Sequence, residues 1–125
     1  MVLVVADDLL FRSKISTVAK RTGVTIRAAT TPDAAVAAAQ LERPTLILLD
    51  LDGTRPQPFE VLRRLGAEEQ LRSIPTLGFV SHVHAVAIQE ARALGIGRVL
   101  ARSAFVAELP DILASHGAAE STDER

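Results

Sequence analysis

Short apolar runs alternate along the chain with longer segments of helical period. Val2–Ala6 is a compact β-branched run. Leu9–Arg21 places Leu10, Ile15, Val18 and Ala19 on one helical stripe, and Gly23 follows as a stop. Val24–Ala28 is the second predicted strand. Thr31-Pro32-Asp33 then starts a helix with a hydroxyl cap, a proline in the first turn and an acid near the positive end of the dipole. The helix it opens reads AAVAAAQLE, which permits close packing but offers little side-chain area. Thr45–Leu49 is the most apolar strand and runs directly into Asp50. A strand apolar on both faces belongs in the middle of a parallel sheet. Phe59–Leu65 reads as a helix, Thr76–Val80 as the fourth strand, and Val83–Leu94 as a helix stopped by Gly95. Gly97–Ala101 is a short fifth strand and Ala104–His116 the last helix. Pro110 falls inside that last pattern, so the helix either starts late or is kinked there.

Five β-then-α units predict an α/β fold, a parallel sheet covered on both faces with right-handed crossovers. The 125 residues fit one domain. Residues 1–116 are expected to form it, and residues 117–125 to be a polar C-terminal tail. Composition narrows the chemistry. The chain has no Cys, which excludes disulfides, zinc thiolates and thiol catalysis. It lacks Trp and Tyr and has four Phe, too few for base-stacking platforms. Fourteen basic against fifteen acidic residues, without a run of one sign, argue against nucleic acid and membrane surfaces as partners. No membrane span or leader is evident, so a cytoplasmic protein is expected.

In such sheets, ligands bind beyond the carboxyl ends of the strands. Strand one ends in Ala6-Asp7-Asp8, strand three in Asp50-Leu51-Asp52-Gly53-Thr54, strand four in Ser81-His82, strand five in Arg102-Ser103. Crowded carboxylates repel one another unless a cation is present, and Mg²⁺ is the usual hard ion in such a setting. A carboxylate beside it can attack phosphorus. Taken singly these residues have plainer roles: Asp8, Ser81 and Ser103 as helix caps, His116 at a helix C-terminus, and Arg63, Arg64, Arg98 and Arg102 as solvated charge. His82 and His84 form an H-x-H pair with no third ligand in view.

At these positions the sequence resembles the receiver domains of two-component response regulators, from Val2 to about Leu113. The resemblance rests on the acids after strand one, Asp50 after LILL, Phe59-Glu60-Val61-Leu62-Arg63-Arg64-Leu65, Ile74-Pro75 before strand four and the serine at its end. It implies a doubly wound five-stranded parallel sheet in the flavodoxin-like order 2-1-3-4-5. It implies Asp50 as phosphoacceptor, Asp7 and the Asp52 backbone carbonyl as further Mg²⁺ ligands, with Asp8 a neighbouring candidate. Ser81 would be the hydroxyl that bonds the phosphoryl group, and Arg102 stands where the family has lysine. The implied partners are a histidine kinase or phosphotransfer protein, a downstream protein, and a second copy through the face of helix four, strand five and helix five. The chain departs from the family at Ala6, where the first of two acids is expected, and at Arg102, Ser103, Val99, His82 and Gln57-Pro58. Arg is not equivalent to Lys in reach or shape. Many relatives with such losses look like receivers that work as binding modules without phosphate, which is the alternative reading.

Asp50-Leu51-Asp52-Gly53-Thr54 also looks like the first motif of haloacid-dehalogenase-type phosphatases. That motif normally lies on the first strand, and no lysine follows it here, since Lys14 and Lys20 are the chain's only two. The phosphatase ranks below the receiver, and the expectation is a signalling domain rather than an enzyme.

Overall fold

A computed structural model describes residues 1–81 and 85–122, with side chains to His116. His82 and His84 lie outside the described residues. Ten elements alternate: β1 (Val2–Val5), α1 (Leu9–Thr22), β2 (Ile26–Ala29), α2 (Pro32–Glu42), β3 (Leu46–Asp50), α3 (Pro58–Ala67), β4 (Thr76–Val80), α4 (Ala85–Ala93), β5 (Arg98–Ala101) and α5 (Arg102–Thr122). The strands are all parallel, in the order β2-β1-β3-β4-β5. This is the doubly wound sheet that the resemblance implies. β1 and β3 are buried throughout, as their unbroken apolar runs require.

Alternation along each strand divides the core between the two faces. Leu3, Val5, Ile47, Leu49 and Val80 pack with α2, α3 and α4. Val2, Val4, Leu46, Leu48, Leu77 and Phe79 pack with α1 and α5, against Phe11, Ile15, Phe105, Leu109 and Leu113. Asp50 continues the row of Leu46 and Leu48. The strand period therefore aims its side chain toward the α1 and α5 face.

Most element boundaries shift by a residue or two from their sequence patterns, and in three elements the shift has a clear physical cause. β2 begins at Ile26 rather than Val24, because Val24 is spent on ending α1. Gly23 takes a left-handed conformation at φ 74°, and the Val24 N–H donates to the Ala19 carbonyl at 2.9 Å. β5 begins after Gly97, whose N–H donates to the Thr76 hydroxyl. A Cβ at residue 97 would lie 2.8 Å from the Thr76 carbonyl oxygen, so only glycine admits this approach of β5 to β4. α5 opens directly from β5 at Arg102 and remains helical through Pro110. Its start is thus early, and Ser103 lies inside the first turn instead of capping it. Pro110 is exposed, and Phe105, Leu109, Ile112 and Leu113 anchor the helix around it. The backbone of α5 stays helical past His116, to Thr122. Among the described residues, no helix is long and apolar enough to cross a membrane.

Candidate functional site

The carboxyl ends of β1 and β3 place their acids side by side. Val5 and Leu49 are register partners, so Ala6 and Asp7 leave β1 next to Asp50. Asp50 is the one buried charged residue among those described, at 3% exposure. Its Oδ1 accepts from the Asp52 N–H at 3.0 Å, and the Gly53 N–H donates to its backbone carbonyl at 3.1 Å. These two bonds make a tight turn at the exit of β3.

The other carboxylate oxygen meets a cation. The Arg102 guanidinium lies 3.4 Å from Asp50 Oδ2 and 3.7 Å from Asp8 Oδ2. It is shelved on aromatic rings, 4.5 Å from the Phe11 centroid and 5.8 Å from that of Phe79. Phe11, Phe79 and Phe105 are themselves packed, with Phe79 and Phe105 stacked at 4.4 Å. Arg102 Nε is buried and has no hydrogen-bond partner. The first residue of α5, the third residue of α1 and the fourth residue of β4 thus build one wall of the site.

The remaining acids have divided duties. Asp8 caps α1 and accepts from the Phe11 N–H at 3.1 Å through Oδ1. The plainer reading of Asp8 therefore holds, alongside its contact with Arg102. Asp52 is exposed, and its Oδ2 accepts from the Ser81 backbone N–H at 2.6 Å, tying the exits of β3 and β4 together. Ser81 is exposed at the end of β4. Asp7 is half-buried. Ala6 is fully buried in the α1 and α5 core, where a second acid would have no water.

Burial raises the Asp50 carboxyl above its ordinary value. The Asp52 N–H and the Arg102 charge pull it down, while the charges of Asp52 and Asp7 push it further up. Asp50, Asp7, Asp8, Asp52, Ser81 and Arg102 thus occupy one rim. Among the described residues, no three His, Cys, Asp or Glu side chains converge as a metal cage. The residues that sequence reasoning missed are Phe11 and Phe79, which shelve Arg102. Phe79 lies in a predicted strand, but the stripe expected of the first helix takes Leu10, which is 86% exposed, where α1 buries Phe11 instead, and nothing local distinguishes a core phenylalanine from a cation's platform.

No protein-family model matches the sequence, and no curated protein matches it. Solved structures do match. The chemotaxis response regulator CheY4 of Vibrio cholerae is 23% identical, with a TM-score of 0.79 over 92% of this chain and 96% of that one. The phosphorylated cyanobacterial phytochrome response regulator RcpA is 21% identical, with a TM-score of 0.76 over 91% and 88%. The Mn²⁺-bound form of response regulator Rcp1 is 22% identical, with a TM-score of 0.74 over 91% and 88%. Strand order, helix placement and these likenesses agree that the chain has the CheY-like receiver fold of response regulators.

Proposed function

We propose that this chain is a receiver module of two-component signalling, with Asp50 as its phosphoryl acceptor. The observation that carries this reading is the carboxylate at the exit of the central strand, the one buried charged group among the described residues, with one oxygen fixed and the other beside a cation. Residues 1–116 make up the working unit, and it acts in the cytoplasm. The donor is a phosphohistidine on a kinase or phosphotransfer protein. An Asp50 oxygen attacks phosphorus and the P–N bond breaks. Its electron pair leaves with the imidazole, which takes up a proton.

This chain's residues have separate parts in that step. The Asp52 N–H orients the carboxylate. Arg102 offers a permanent positive charge to phosphoryl oxygens, and the Ser81 hydroxyl offers a hydrogen bond. The donor set fits Mg²⁺, because hard oxygens of Asp7 and Asp50 with the Asp52 carbonyl match its usual share of one or two carboxylates. When bound, the ion would neutralise phosphoryl charge. Output passes through the face of α4, β5 and α5, where Val86 is exposed, to a downstream protein or a second copy.

A second reading, a phosphate-independent binding module, is favoured by buried Ala6 and by the use of Asp8 as a helix cap. The two readings separate on incubation with phosphoramidate and Mg²⁺, followed by intact-mass measurement. The acceptor reading predicts one added phosphoryl group on the wild type and none on Asp50→Asn. A wild type that gains none, while still binding its partner, supports the second reading.

A further inference from the structure

A cavity of about 470 Å³ opens at the far end of the sheet from Asp50, a volume within the usual range for a small-molecule site. Leu46, Thr76 and Arg98, the first residues of β3, β4 and β5, line it on one side and α5 on the other. The space exists because the sheet supplies little bulk there. Gly97 must be glycine beside the Thr76 carbonyl, and Thr76 itself is short. α5 does not fill the gap either. Phe105, Leu109 and Ile112 form its buried stripe, and the next position of that stripe is half-buried His116, where an apolar residue would extend the core. The floor is apolar, made by buried Leu46, Leu77 and Ile112.

The charges around this floor do not balance. Arg98 and Glu108 line it as a pair, 3.0 Å apart, and offset one another. Asp111 lies one turn after Glu108 on α5 and lines the same cavity, with no ion pair or hydrogen bond among the described residues. Ser115 and His116 add a hydroxyl and an imidazole at the next turn. A free carboxylate over an apolar floor complements a positive group on an apolar body. An organic anion would be repelled by Asp111. A bare divalent ion lacks ligands, since no three His, Cys, Asp or Glu side chains converge among the described residues.

We propose that this cavity binds a small organic cation, an amine or amidine on an apolar body, with Asp111 as its charge partner and Leu46, Leu77 and Ile112 beneath the body. The site uses neither Asp50 nor a phosphoryl group. It lies at the foot of β5 and α5, two elements of the face proposed for output.

The test is a titration of the full chain with benzylamine, which is protonated at neutral pH, followed by the backbone amide resonances. Saturable shifts are expected at Gly97, Arg98, Asp111 and Ile112, in the millimolar range for so small a probe, with the Asp50 amide unmoved. Benzyl alcohol, which keeps the ring and lacks the charge, should bind about fivefold more weakly, the upper end for an ion pair near the surface. Asp111→Asn should weaken benzylamine by the same factor. The ligand series decides on the wild type alone should that variant fail to fold. Benzyl alcohol or benzoate binding as tightly as benzylamine overturns the proposal, as does unchanged affinity in folded Asp111→Asn. The same shifts with ammonium chloride would show an adventitious ion only, and no saturable shifts at these four amides would show no site.

Discussion

Phe79→Ala is expected to lower the stability of the protein by about 3–5 kcal/mol, the range for truncating a fully buried phenylalanine. Phe79 has no exposed surface, is the fourth of the five residues of β4 and is the register partner of Asp50. Its ring stacks on Phe105 at 4.4 Å and lies 4.8 Å from Phe11, so it joins the sheet to both helices of that face. Removing it leaves a cavity where three elements meet and takes one ring from beneath Arg102. A urea titration checks the size of the loss. Leu41→Ala serves as the control, because Leu41 is 84% exposed and should cost almost nothing. A loss below about 1 kcal/mol in Phe79→Ala would mean that the aromatic trio does not join the faces as described.

Asp50→Asn is expected to stabilise the fold at neutral pH while removing the acceptor. The direction follows from the carboxyl group, which is raised above its ordinary 3.8 mainly by burial, with Arg102 already counted among the opposing causes. A group whose folded pKa is raised binds more protons folded than unfolded, between its ordinary and raised values. Wild-type stability therefore falls as pH rises through that window, and the cost of the buried charge is complete above it. Asparagine carries no such charge. The gain, on the order of 1 kcal/mol or roughly 3–5 °C in Tm, should be present at pH 7 and fade as pH falls through the raised value. It should be gone below the ordinary value of 3.8. Thermal melts of both proteins across that range measure it. A less stable Asp50→Asn at pH 7 would show that the pair with Arg102 outweighs the burial.

The sheet was legible because its physics is local. LILL running into Asp50, proline after the Thr31 cap, and Gly23 and Gly95 as stops each state an element and its end within a few residues. The acids were legible for the same reason, since each follows an apolar run that must be a strand. What escaped depended on contacts between distant segments. Residues 24 and 25 have strand-forming chemistry, yet the close of α1 claims the Val24 N–H. Pro110 reads as a break, yet buried Leu109 and Ile112 on either side keep α5 helical through it. Arg102 and Arg98 look alike in sequence. Only the fold shows that Arg98 pairs with Glu108 at the surface while Arg102 lies on Phe11 and against Asp50.

The most direct test of Asp50 as the control residue is a pair of amide NMR spectra in Mg²⁺, without and with beryllofluoride, a mimic of the aspartyl phosphate that does not hydrolyse. A short-lived phosphate cannot conceal a positive result in this experiment. Shifts centred on Asp50, Asp52 and Ser81, spreading to Arg102 and α5 and lost in Asp50→Asn, are the predicted result. Spectra that do not change at saturating Mg²⁺ and beryllofluoride would contradict the acceptor site and leave the receiver fold serving a partner that binds it unmodified.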